Sequence, residues 1–106
     1  MWTNACETAM WCKVLHDKGW TGSKIAREIG RSEGYVNNLI RVVERGSPRL
    51  LLRWYAEMAP DNPLPHACAT DWLLQIILLP HHDQDLALDA RIAGITGRSV
   101  TIRTPT

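Results

Sequence analysis

The sequence predicts an all-α fold of about six helices, and three observations predict it. Apolar residues recur at three- and four-residue spacing through most of the 106-residue chain. Glycine, serine and proline punctuate that pattern where helices stop and start. Strict apolar–polar alternation, the sign of a strand, occurs only near the C-terminus.

The first helix is expected from near Ala5, because Asn4 followed by Glu7 resembles a capping box. Met10, Trp11, Val14 and Leu15 make its apolar stripe, and Gly19 ends it. Cys12 and His16 lie one turn apart, the spacing of a nucleophile and its base. Nothing else in the chain supplies an oxyanion site or a third partner, so a structural or surface role is the expectation for both.

Residues 20 to 45 carry the most specific pattern. Ile25, Ala26 and Ile29 repeat at helical spacing, the pattern halts at Gly30, and it restarts with Val36, Leu39, Ile40 and Val43. Glycine reaches a left-handed C-cap without a Cβ penalty. Thr21 or Ser23 caps the helix before the glycine, and Ser32 caps the one after it. Ala26, four residues before the glycine, allows close approach, and Val36, six after it, fills the wedge. That is the spacing of a helix-turn-helix, here over 22–44, whose second helix enters the DNA major groove.

The candidate reader therefore runs from Glu33 to Glu44. Its base-reading candidates are Ser32, Glu33, Gly34, Asn37, Asn38 and Arg41. Asparagine bonds bidentately to adenine, arginine to guanine or phosphate, and glutamate accepts from cytosine. The phosphate candidates are Thr21, Ser23, Lys24, Arg27, Arg31, Tyr35, Arg45, Arg49 and Arg53. Tyr35 either packs on the first helix, the favoured role, or offers its hydroxyl. Arg45, Arg49 and Arg53 continue at four-residue spacing from Arg41, as one basic ridge would.

Gly46 closes the reader, and Ser47-Pro48 opens a fourth helix over 49–58, with proline where its missing amide costs nothing. Leu50, Leu51, Trp54 and Met58 form its apolar side. A proline-rich loop over 59–65 leads to a fifth helix over 66–79, apolar on every face from Trp72 onward, as in a helix buried all round or shared with a partner chain. Pro80 ends it. A sixth helix over 83–93 has Leu86, Leu88 and Ile92 apolar and Gly94 beyond its end. The tail, 97–106, is read as a strand, a linker or a disordered segment. The whole of 1–96 is expected to form one helical DNA-binding domain around a core of leucine, isoleucine and five tryptophans.

Composition narrows the function. The net charge of +1 conceals seven Lys/Arg against three acids in 20–54 and three against six in 55–106. Such a division suits one face that meets phosphate and one that does not. Three irregularly spaced cysteines fit a reducing cytoplasm, and the chain lacks a secretory signal or a bilayer-length apolar run. His66, Cys68, His81 and His82 do not have zinc-ligand spacing. Phosphate-cradling glycine loops and paired catalytic carboxylates are not evident, so no catalytic residue, metal or cofactor is expected.

The run IAREIGRSEGYVNNLIRV resembles the helix-turn-helix of ParB/KorB-type DNA-binding proteins, which commonly read I-A-x-x-x-G-x-S-x-x-x-V-x-N-x-x-R. Ile25, Ala26, Gly30, Ser32, Val36, Asn38 and Arg41 match it. Leu64-Pro65-His66-Ala67 is similar to the family's Gly-His-Ala-Arg segment, with proline for the glycine and Cys68 for the arginine. The resemblance spans roughly 5–95 and is strong over 25–41. It implies binding to palindromic plasmid or chromosomal sites, in segregation or repression. It gives no grounds for nucleotide hydrolysis, because the nucleotide-binding and dimerisation domains of full-length members lack counterparts here.

The expectation is a non-enzymatic, site-specific binder of duplex DNA in the bacterial cytoplasm, associated with nucleoid or plasmid. It would act as a transcriptional regulator or a plasmid or phage partition-type factor, either standing alone, as Met1 favours, or as part of a longer protein. A homodimer is expected, joined through the fifth and sixth helices. The alternative is a protein-interaction module that docks a partner on the same helical fold.

Overall fold

The computed structural model describes residues 4–95, which form six helices and, among the described residues, no strand. The all-α expectation holds. The helices are α1 (Ala5–Asp17), α2 (Gly22–Ile29), α3 (Glu33–Arg45), α4 (Pro48–Glu57), α5 (Thr70–Ile76) and α6 (His81–Ile95). The 97–106 tail lies outside the described residues. None of the described helices is long and apolar enough to cross a membrane.

The chain divides into two compact units, Met1–Gly46 and Ser47–Thr106. The division falls at the Gly46–Ser47 joint, where α3 ends and a new capped helix begins.

In the first unit, local backbone chemistry sets the helix ends. The Asn4 side chain accepts from the Glu7 amide at 2.8 Å, Thr21 Oγ1 from Lys24 at 3.1 Å, and Ser32 Oγ from Tyr35 at 3.1 Å. Each satisfies an amide that the first turn leaves open. Gly30 adopts φ 72°, and the Arg31 amide donates to the Ala26 carbonyl at 2.9 Å, so α2 stops there. Cys12, Ile25, Ala26, Val36 and Ile40 form the core cluster, with Leu15, Trp20 and Ile29 packed around it.

The inward face of α1 corrects the sequence reading. Cys6, Thr8, Ala9 and Cys12 are buried, while Met10, Trp11 and Val14 are exposed, Trp11 by 50%. Hydropathy favours the large side chains, but helices approach closely over small ones, and cysteine behaves in a core as a small apolar residue. The expected tryptophan core narrows as well. Of the described tryptophans, Trp54 alone is fully buried, and its Nε1–H has no partner.

The second unit is held by buried polar groups. Ser47 accepts from the Leu50 amide at 3.1 Å, donates its hydroxyl to Asp85 at 2.6 Å, and donates its own amide to Gln84 Oε1 at 2.7 Å. Gln84, fully buried, returns its Nε2 to the Leu79 carbonyl at 2.9 Å. These bonds tie the start of α4 to the start of α6. At the other end of α4, buried Glu57 accepts from the Ala67 and Cys68 amides at 3.0 and 2.9 Å and from Arg53 Nε at 2.6 Å. Arg53 also donates to the Pro65 carbonyl at 2.7 Å, and Arg91 to the Ala67 carbonyl at 2.6 Å.

The helix bounds differ from those expected. α5 starts at Thr70 and not at 66, and the amides of Ala67 and Cys68 ahead of it are bonded to Glu57. It ends at Ile76, leaving Leu78 and Leu79 outside the helix and exposed, Leu78 by 71%. The segment is therefore not buried on every side: Leu73, Ile76 and Ile77 are the buried positions. α6 starts directly after Pro80 and runs through Gly94; Leu86 on it is exposed, and Leu88 is buried.

Removing the Glu57 carboxylate leaves the Arg53 guanidinium and two buried amides without their acceptor. Glu57→Ala is expected to lower unfolding free energy by about 3–5 kcal/mol in urea titrations. A loss below about 1 kcal/mol would show that the network is not what holds the 65–68 segment.

Candidate nucleic-acid interface

The helix-turn-helix geometry lies wholly in the first unit. α2 and α3 meet at the turn Gly30–Arg31–Ser32, with Ile25, Ala26, Val36 and Ile40 between them. α1 packs on α3 and on α2. Lys13 links α1 to α3 by reaching Glu44 at 3.2 Å while holding Asp17 at 2.7 Å; hydrogen bonds to both raise its pKa, Asp17 first.

Most candidates of this unit stand in solvent. Thr21, Ser23, Lys24, Arg27, Arg31, Ser32, Glu33, Gly34, Asn37, Arg41 and Arg45 are exposed, and Tyr35 and Asn38 are half-buried. Two of the cations lie over aromatic rings: Lys24 Nζ is 4.2 Å from the centre of Trp20, and the Arg31 guanidinium 4.9 Å from Tyr35. Each such contact provides about 0.5–1 kcal/mol at an exposed site and orders a long side chain in advance. Arg41 approaches Asn38 Oδ1 at 3.4 Å, one turn back on the same helix.

Where the start of α2 meets the start of α3, Ser23 Oγ donates to Glu33 Oε1 at 2.9 Å. A Cβ added at Gly22 would stand 2.7 Å from Asn37 Oδ1 and 3.4 Å from Glu33 Cγ. Gly22 is thus a second point of close approach, beside Ala26, that the spacing of apolar residues does not reveal. Gly34, by contrast, has open space around it.

The four arginines of the expected ridge from Arg41 to Arg53 are divided between the two units. Arg49 and Arg53 belong to the second unit, and both have protein partners. Arg49 grips Asp89 with both terminal nitrogens, which raises its pKa. The Arg53 side chain is only 15% exposed and serves Glu57 and Pro65. Without them, the first unit carries seven Lys/Arg against five Asp/Glu, a milder excess than the 20–54 segment suggested. The Arg53–Glu57 pair was visible as an i, i+4 spacing; the Arg49–Asp89 pair, 40 residues apart, was not.

The thiol chemistry is equally specific. Cys6, Cys12 and Cys68 are all buried and free. Burial raises the Cys12 thiol, the opposite of what a nucleophile beside His16 requires. Burial also pushes Cys6 up to about 11, and burial followed by the charge of Glu57 pushes Cys68 up to about 12. Among the described residues, no three His, Cys, Asp or Glu side chains converge as a metal site.

No protein family, curated protein or solved structure compared with the chain matches it.

The thiols generate a prediction in two parts. At pH 8, iodoacetamide should label the native chain many times more slowly than the urea-unfolded chain. The folded thiol pKa values are raised, so their contribution to stability is complete below the ordinary value of 9.0 and is lost as pH climbs through about 11. Denaturation midpoints that do not fall over that range would contradict the assignment.

Proposed function

We propose that the chain is a site-specific binder of duplex DNA that reads the major groove with α3. The observation that carries this is exposed Glu33 and Asn37 at the start of α3, in a unit whose α2, turn and α3 also expose the cations Lys24, Arg27, Arg31, Arg41 and Arg45. Glutamate and asparagine offer base-edge chemistry, and the cations offer phosphate contacts that set register. The resemblance of 25–41 to ParB/KorB-type readers supports the same reading. The role that follows is transcriptional regulation, or partition of a plasmid or phage genome, in the cytoplasm and without catalysis.

A lone reader spans few base pairs, and helix-turn-helix proteins commonly pair so that two readers enter the groove about 34 Å apart. The proposal therefore includes a homodimer on a palindromic site. A second reading, a protein-docking module, draws support from Met10, Trp11 and Val14, which α1 leaves exposed.

Two measurements separate these readings. With roughly four phosphate contacts, log affinity should fall with log salt at a slope of about −3 to −4; no binding to any duplex at low salt would favour the docking module. Asn37→Ala should cost about 1–3 kcal/mol on the best site and flatten discrimination at one base pair. Arg27→Ala should weaken all sequences alike. Equal, sequence-independent losses for both would remove α3 as the reader.

A further inference from the structure

We propose that Gly22 and Ser23, on α2, are positioning residues that set base preference through Glu33 and Asn37 of α3. This inference rests on the DNA-binding reading above and adds to it which residues off the reader control its selectivity.

A carboxylate at the front of a reader is useful only in a defined place. It accepts from the exocyclic amino group of cytosine, but it repels the phosphates on either side of the groove. A swinging glutamate would meet both. Ser23 commits one carboxylate oxygen, Oε1, through the 2.9 Å bond from its hydroxyl. The other, Oε2, is then the acceptor left for a cytosine amino group. Lodging the side chain before DNA arrives removes part of the ordering cost of the complex.

Gly22 acts by having no side chain. Its bare backbone lies under both groups, with an added Cβ 2.7 Å from Asn37 Oδ1, 3.4 Å from Glu33 Cγ and 3.5 Å from Glu33 Oε2. Real Cβ atoms do not sit 2.7 Å from an oxygen, so alanine would displace the Asn37 amide. The displaced atom is the far end of a flexible side chain, and Gly22 is the first residue of α2 with ordinary helical backbone. The fold should therefore tolerate the change while the amide moves. Glu33 and Asn37 are four residues apart on one face of α3, so Gly22 and Ser23 together hold two neighbouring reading positions, cytosine by Glu33 and adenine by Asn37.

The test is selection from a random duplex pool with the full chain, Gly22→Ala, Ser23→Ala and Ser23→Thr, followed by affinities for the best site and its single-base variants. The native chain should enrich a site with cytosine at one position, where a wrong base weakens binding about tenfold or more. In Ser23→Ala that ratio should fall to about twofold, and Ser23→Thr, which keeps the hydroxyl, should restore it. Gly22→Ala should lose discrimination at the Asn37 position with an unchanged melting temperature. Serine and glycine carry no charge, so the salt slope should not move. If the native chain enriches a site and Ser23→Ala keeps full discrimination at every position, positioning is overturned while DNA binding stands. If the native chain binds no duplex, the DNA reading itself fails and takes this inference with it. Should Gly22→Ala melt early, the Ser23 pair of variants still decides the matter.

Discussion

Close approach between α2 and α3 is the constraint on which the candidate interface depends. It is met by leaving atoms out. Ala26 keeps the contact thin, Gly22 leaves the start of α2 bare beside the start of α3, and Gly30 turns the chain through a conformation that costs other residues about 1–2 kcal/mol. Bulk at Ala26 would separate the helices, and the cluster of Cys12, Ile25, Val36 and Ile40 would lose its packing, whereas at Gly30 the cost is the positive φ and at Gly22 a displaced side chain. That packing sets the start of α3, with Glu33 and Asn37, beside Gly22 and Ser23 of α2.

The second unit is built on a different principle. Three segments of chain are gathered by two buried polar side chains, Gln84 at one end of α4 and Glu57 at the other. Such groups are costly to bury alone and safe only when every donor and acceptor is used. Glu57 meets that condition with an arginine and two amides. The loop over 65–68 is thereby tied to the end of α4 through backbone amides, which apolar packing alone would not dictate.

What was legible in the sequence was local. Asn4, Thr21, Gly30, Ser32 and Ser47-Pro48 each act on backbone groups within a few residues, and each does in the structure what its type suggests. Three things were hidden because they depend on residues far apart or on size in place of hydropathy. The inward face of α1 uses Cys6, Ala9 and Cys12, which no apolar stripe marks. Arg49 and Arg53 meet Asp89 and Pro65, partners that lie 40 and 12 residues away in the chain. Gly22 reads as an ordinary helix start until Asn37 is seen above it. Of the residues that carry the candidate interface, the caps and turn that set α2 and α3 were readable, and the partners of the α4 arginines were not.

Lys24 resting on Trp20 has an optical consequence. A positive charge over an indole face changes the energy and lifetime of the ring's excited state. The half-buried Trp20 thus reports, by its emission, whether that ammonium is on the ring or has been drawn to an anion in solution. In a chain whose other four tryptophans are replaced by phenylalanine, that emission is a gauge of occupancy at this edge of α2, with no dye attached. Because Trp20 also packs against the first unit's core, the same emission registers whether that core is intact.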